Sequence, residues 1–503
     1  MPERTPRFDR LVVRLFAAIF AAVALLIGVT LLLDLHASGK SWSELTATPD
    51  EQRALASTVS RAFNQLISMV LAFIALAVPI TANMYTPKLI EAFVKDKVNL
   101  AVLVSFVSLG AFAVYGQAVA FKQWTPTWTY GVMTVGGVVG FVLLLPYYVY
   151  VLGFLDPDRI IALVARRVTD ELPAIMSERR PTAEAQLRFD ERLRNLGNVI
   201  LRAVDRADRD VAIRSIEALR DVLGTYQMTR SRLSAAWFDV PAGVFVGASD
   251  AALALIRTDR IWVEQRGMGQ LLLAFRGALT RMPDAVSAIS DVTRKSALNA
   301  AREGHEQVLR LALRYFNSYL RAAVRKQDVH AIYDVVYQYR ELAAGLCRSH
   351  PQLAVEIGTH LRYYAEFAEQ QRISFIHDLT GYDLAHLVEC ATDVQSPAAP
   401  QLLDHVLAHG GPSCAGRQAV PRALLAAYFA QRGDEASHAR LIAALAHAPA
   451  EALDAAARRI STTTDAIFWE VTDRQTNFDY VPAARRALAL EAIEAARTAQ
   501  HAD

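Results

Sequence analysis

Four runs without a single charged side chain dominate the first third of the sequence: residues 15–33, 62–87, 98–121 and 123–155. A helix needs about 20 apolar residues to cross a hydrocarbon core of roughly 30 Å, and a longer run is accommodated by tilt. The pattern therefore predicts four transmembrane helices, at about 15–33, 62–84, 98–121 and 128–155. The first is read as a retained anchor. Its apolar run exceeds a signal-peptide core, and Leu35 spoils the small-residue site near Ala37.

Past residue 155 the period changes. Apolar positions recur at helical spacing almost to the C-terminus, and alternating β-branched runs are scarce. Asp156-Pro157 offers a cap and a first-turn proline for a helix leaving the membrane. Further helices are expected over about 183–206, 210–226, 249–258, 260–280, 284–324, 328–348, 351–372, 382–393, 400–409, 420–432, 434–447, 449–461 and 482–500. The stretch 237–246 is apolar but interrupted by Asp239, Pro241 and Gly243, so it reads as a buried or interfacial loop. Two joints resemble each other at an offset of 119 residues: Leu201-Arg-Ala through Asp210 into Ala212-Ile213, and Leu320-Arg-Ala through Asp328 into Ala331-Ile332. Tyr428 through Gly433-Asp434 makes a third. Helix pairs joined by such polar turns are the grammar of α-solenoids. The expected fold is thus an all-α membrane protein: a four-helix transmembrane domain (1–155), a large cytoplasmic helical domain of solenoid-like or orthogonal-bundle type (156–396) and a C-terminal helical subdomain (397–503), the last set off by the Pro397–Pro400 loop.

Charge gives the orientation. Arg4, Arg7, Arg10 and Arg14, with Lys88, Lys95 and Lys97 and with Arg159, Arg166 and Arg167, put ten basic residues on one side; Lys40, Arg53, Arg61 and Lys122 put four on the other. The positive-inside rule then places both termini in the cytoplasm of a bacterial inner membrane. Overall, 53 basic residues offset 51 acidic ones, so no global charge points to nucleic acid.

The stretch Asn83-Met-Tyr-Thr-Pro-Lys-Leu-Ile-Glu-Ala-Phe-Val-Lys-Asp-Lys-Val-Asn99 follows the second run. A membrane helix ending in a short polar stretch, then proline, a basic residue, two apolar residues, a phenylalanine and a basic-acidic-basic cluster resembles the signature of a bacterial family of predicted integral membrane proteins, domain of unknown function 2254. The residues that carry the likeness are Pro87, Lys88, Leu89, Ile90, Phe93, Lys95, Asp96 and Lys97. A second partial likeness runs from Leu201 to Gly224, where Asp205-Arg-Ala-Asp-Arg-Asp210 replaces the family's Ser-Pro-Gly-x-Asn-Asp-Pro turn. The resemblance implies the same plan of N-terminal membrane helices and a long helical tail, and no activity.

Read by itself, 87–97 is a short amphipathic helix at the membrane interface, with Pro87, Lys88, Phe93, Lys95, Asp96 and Lys97 as candidate coupling residues. The membrane runs contain no ionisable acid or base, which speaks against a proton-driven pump. Their polarity is uncharged: Asn64, Gln65, Ser68, Thr81 and Asn83 in the second helix, Ser105, Ser108 and Gln117 in the third. Asn64 and Ser68 share a face, as do Ser105 and Ser108, so they either bond between helices or line a path for water. Gly136-x-x-x-Gly140 lets another helix approach the fourth closely, in this chain or another.

Catalytic signatures are missing. No phosphate loop, dinucleotide fingerprint or nucleophile elbow is present. Cys347, Cys390 and Cys414 lack zinc-site spacing and are expected as reduced thiols. Eleven of twelve histidines follow residue 300, and Glu356/His360, His405/His409 and Asp383/His386/Glu389 stack on helices, yet none makes a full metal set. No enzyme activity, cofactor or metal is expected. The expected partners are membrane lipids, further copies of the chain and a cytoplasmic protein, with no nucleic acid. Two readings follow: a membrane-anchored interaction or sensing platform, or an oligomeric channel lined by the second and third helices and gated by the cytoplasmic part.

Overall fold

The computed structural model describes residues 48–84, 90, 93–118, 127–177, 182–240, 243–410, 416–470 and 474–500, with isolated positions between 21 and 36. The described residues form nineteen α-helices and no strand, with one isolated bridge between Ile467 and Thr476. The chain divides into two compact units, Met1–Leu163 and Val164–Asp503.

Three helices build the described part of the first unit: α1 (Pro49–Met84), α2 (Lys97–Ala118) and α3 (Thr127–Phe154). Each contains a stretch long and apolar enough to cross a membrane: Arg53–Ala82, Lys97–Tyr115 and Gly131–Phe154. The expected first span, 15–33, lies outside the described residues apart from isolated positions. The second begins earlier than expected, at Pro49 rather than near residue 62. A capping box explains it. The Thr48 amide and hydroxyl both donate to Glu51 Oε2, at 2.7 and 2.8 Å, and Pro49 occupies the first helical position.

The three helices pack on one another in every pairing. Glycines set the closest approaches. A Cβ at Gly140 would sit 2.9 Å from the Phe63 ring, one at Gly136 2.9 Å from Leu109, and one at Gly110 2.6 Å from Ile67. The Gly136-x-x-x-Gly140 face of α3 is therefore filled by α1 and α2 of the same chain.

In the second unit the elements are α4 (Pro157–Thr169, entering from the first unit), α5 (Leu172–Ser177), α6 (Ala183–Asp205), α7 (Arg209–Thr229), α8 (Asp250–Asp259), α9 (Trp262–Ala278), α10 (Pro283–Arg302), α11 (Glu306–Lys326), α12 (Val329–Leu346), α13 (Pro351–Gln370), α14 (Ser374–Asp393), α15 (Ala399–Ala408), α16 (Ala419–Arg432), α17 (Glu435–Leu445), α18 (Ala450–Thr462) and α19 (Ala483–Gln500). They stack in two rows. One row runs α6, α9, α11, α13, α15; the other runs α7, α10, α12, α14, α16, each helix contacting the next in its row. Helices α17, α18 and α19 close over α16.

The joints repeat one device. Ala207, Gln327 and Gly433 take φ of 57°, 54° and 69°. The following Asp208, Asp328 and Asp434 cap the next helix by accepting from the amides of Val211, Ala331 and Ser437. Each aspartate's own amide returns to the preceding helix, on Ala203, Ala323 and Phe429 carbonyls. Asp208, not Asp210, is the cap. The expected single helix over 284–324 is instead two, α10 and α11. Gly304, at φ 73°, ends the first, and the His305 amide bonds back to Ala300 O at 2.8 Å.

In the 237–246 stretch Trp237, Phe238, Val240 and Val244 are buried, and Asp239 and Gly243 are exposed. Trp237 has no exposed surface, its indole donates to Tyr226 Oη, and its carbonyl accepts from Trp262 Nε1 at 2.8 Å and Gln186 Nε2 at 2.9 Å. Val246, at the tip, is exposed.

Candidate functional site in the membrane unit

The 93–99 turn, which connects α1 to α2, carries the polar chemistry of the first unit. Asp96 caps α2: its Oδ1 accepts the Asn99 amide at 2.9 Å, and its carbonyl accepts the Leu100 amide. The same Oδ1 accepts the Tyr150 hydroxyl at 2.7 Å. Asn99, almost wholly buried, donates from Nδ2 to the Phe93 carbonyl at 2.9 Å and accepts the Tyr147 hydroxyl at 2.5 Å. Phe93 is buried against Phe154, edge-on, with centroids 5.2 Å apart. The turn is thus clasped to α3 by two tyrosines one helical turn apart. A buried amide in apolar surroundings is held firmly when donor and acceptor are both used.

Of the expected coupling residues, Phe93 and Asp96 join this clasp, Lys95 and Lys97 are exposed, and Pro87 and Lys88 lie outside the described residues. The apolar face expected for this segment divides: Phe93 turns inward, while Ile90 and Val94 are exposed. Asn99, Tyr147 and Tyr150 were legible only in part. Asp96-x-x-Asn99 has the spacing of a cap and its third helical residue, and Tyr147 and Tyr150 share a face. Both tyrosines are buried.

The uncharged polar residues point elsewhere. Asn64, Gln65 and Ser68 on α1, and Ser105, Ser108 and Gln117 on α2, are exposed on the three-helix unit. Ser105 Oγ returns to Ala101 O at 2.8 Å, and the half-buried Thr81 Oγ1 to Ala77 O at 2.9 Å. Asn83 lies in α1. Of the packing candidates whose burial is described, Gly136 and Gly140 are the ones buried between helices.

The stacked acids and histidines of the second unit serve structure. His360 Nδ1 lies 2.8 Å from Tyr339 Oη, His405 Nε2 lies 3.2 Å from Thr359 Oγ1, and His409 Nε2 donates to His377 O at 2.9 Å. Asp383 and Glu389 take arginine partners, Arg340 and Arg474 for the first, Arg485 for the second. Among the described residues no group of three or more His, Cys, Asp or Glu is placed to hold a metal. Cys347 is buried, and burial pushes its thiol up to about 11. Cys414 lies outside the described residues.

These features define an all-helical protein with apolar candidate spans near its N-terminus and a larger helical unit after them. Residues 9–223 match the model of the family described as "Predicted membrane protein (DUF2254)", so the family likeness read from the 83–99 signature is shown for this part of the chain. No curated protein and no solved structure matches the chain.

Proposed function

We propose that the chain is an inner-membrane protein whose N-terminal helices anchor a solenoid-like interaction or sensing platform on the cytoplasmic side. The observation that carries this reading is the two-row stacking from α6 to α16, which leaves long helix faces available to a protein partner. The ten-to-four distribution of basic residues supports the orientation. The reading includes no catalytic step. In vivo cross-linking of the full chain and of a chain ending near residue 180 tests it. A protein captured only by the full chain supports the platform. Identical capture by both sinks it.

A second reading rests on the outward polar faces of α1 and α2. Several copies arranged with Asn64, Gln65 and Ser68 inward would enclose a path that one three-helix unit cannot. Solute flux from proteoliposomes, abolished by Asn64→Leu with Ser68→Leu, would support it. Flux unchanged by that pair, or absent for all ions tried, would remove it.

A further inference from the structure

One outer face of the second unit carries unbalanced charge. Helices α9 and α11 are neighbours in the first row and are backed by α10, so their exposed residues look the same way. They contain two acids. Glu264 is buried and paired with Arg230, and Glu306 is paired with Arg310. Arg276 on α9 and Arg314, Arg321, Arg325 and Lys326 on α11 are exposed and, among the described residues, make no ion pair. On α6 the arginines are matched instead: Arg188 by Glu184, Arg192 by Glu171 and Arg194 by Asp190. The basic face ends at α13, where Glu356 meets Arg310 at 3.6 Å and Glu366 is exposed.

The cations are laid out in a line. Arg314, Ser318, Arg321 and Arg325 follow one another at steps of four, three and four, so they form a single stripe on α11. At 1.5 Å per residue that stripe is about 16 Å long. Phe275 stacks on Tyr319, with centroids 4.6 Å apart, which brings Leu273 and Arg276 of α9 beside it. On the other flank Arg321 lies against Tyr363 and Tyr364 of α13. Leu273 and Tyr363 are each about half exposed, so the stripe is bordered by apolar and aromatic surface. Cations spread along a helix face suit an extended anionic surface, and tyrosine and leucine are at home in the headgroup layer. The second unit is also continuous in sequence with three helices long and apolar enough to cross a bilayer. A bilayer is thereby held at high effective concentration, and a modest affinity is enough. We propose that the α9–α11 face binds the anionic headgroups of the bilayer through its unpaired arginines, with Leu273 and Tyr363 entering the interfacial layer.

The test places a photoreactive benzophenone side chain at Ser318, on the stripe, or at Glu217, exposed on α7 in the other row. The full chain is reconstituted in vesicles of phosphatidylcholine, alone or mixed equally with phosphatidylglycerol, and illuminated. Mass spectrometry of the labelled peptide then identifies what it met. A phosphatidylglycerol adduct is expected at Ser318 and not at Glu217. Each basic group beside an anionic surface strengthens binding by about fivefold. Arg314→Gln with Arg325→Gln should therefore lower the adduct by at least about fivefold. The melting temperature should stay unchanged, since neither side chain makes an ion pair. High salt should lower the adduct as well. No lipid adduct at Ser318, equal yield with phosphatidylcholine alone or in the double variant, or equal labelling at Glu217 overturns the proposal. So does labelling of an added glutamate-rich peptide in preference to lipid, which would assign the face to an acidic protein segment. The vesicles hold no cellular protein and their leaflets are alike, so none of these outcomes depends on partner capture or on orientation.

Discussion

His409 should make the α14–α16 region acid-labile. Its ring has no exposed surface and stacks on the buried His377 ring at 4.2 Å. Nε2 donates to His377 O, while Nδ1 is buried without a partner. The charged groups nearby are cations. Arg422 donates to His409 O at 3.1 Å, and Arg362 to Ala408 O at 3.3 Å. Burial first, and these cations after it, push the imidazole from 6.5 down to about 3; the bond to the His377 carbonyl opposes them. In the folded chain His409 is neutral across this interval, while the unfolded chain takes up a proton below 6.5. The unfolded state then binds more protons, so stability is fully present above 6.5, falls as the pH drops, and levels off below about 3. Each pH unit in that window costs about 1.4 kcal/mol, which makes about 2 kcal/mol at pH 5. His409→Gln keeps a donor for the His377 carbonyl and removes the titration. Hydrogen exchange of the full chain in nanodiscs, corrected for intrinsic rates, should show wild-type peptides from α14 to α16 losing about 2 kcal/mol more protection than the variant between pH 7.5 and 5. Part of the slope should survive in the variant, because burial and then Arg417 lower His377 too. Equal losses in the two proteins would refute the argument.

Further substitutions at three places separate the contacts described above. Gly140→Ala drives a Cβ against the stiff Phe63 ring and should cost about 1–3 kcal/mol, Gly136→Ala less because Leu109 can change rotamer, and Gly131→Ala, with nothing within 4 Å, almost nothing; melting temperatures in detergent should fall in that order. Asn99→Ala strands the Tyr147 hydroxyl and leaves the Phe93 carbonyl only the Asp96 amide at 3.3 Å, and should destabilise the first unit by about 1–3 kcal/mol, read by exchange in the α2 and α3 peptides, with Tyr147→Phe costing less because it leaves the Asn99–Phe93 bond intact. Asp328→Ala removes a cap and the acceptor of the Thr280 amide, and should cost about 1–2 kcal/mol, seen as faster exchange at the start of α12 and at Thr280.

Much of the architecture was legible because it rests on local signals. Apolar runs located the three described spans, and helical periodicity found most elements of the second unit to within a few residues. The misses have local and distant causes. The early start of α1 was written in Thr48-Pro-Asp-Glu51, a capping box preceding the apolar run. The break at Gly304 was likewise written, as a glycine after a helical turn. Other joints carry no glycine: Ala207, Gln327 and Arg372 hold positive φ where the amide of the next residue returns to the preceding helix, on the Ala203, Ala323 and Ala368 carbonyls. The clasp and the Asp383 cluster depend on pairings that no periodicity encodes. Asn99 meets Tyr147 across 48 residues, and Asp383 meets Arg474 across 91.

The division of faces in the membrane unit carries a test of assembly. Gly110, Gly136 and Gly140 meet Ile67, Leu109 and Phe63 of their own chain, so their surface is already occupied and does not serve a second copy. An interface between copies must use another face, and Asn64 and Ser68 lie outward one turn apart on α1. In hydrocarbon an exposed amide gains by meeting another polar group, typically by about 0.6 kcal/mol and up to roughly 2. The cysteines of the sequence, Cys347, Cys390 and Cys414, all lie in the second unit, so one placed on α1 reports on that helix alone. Two copies meeting through this face would bring Ser68→Cys side chains near their symmetry mates, and a disulfide requires Cα atoms within about 7 Å. Oxidation in native membranes should therefore link Ser68→Cys chains into dimers. Leu76→Cys, also exposed but on an apolar part of the helix, should stay monomeric. Linking at neither position would mean that the polar face meets lipid or another part of its own chain, and the channel reading would fall with it.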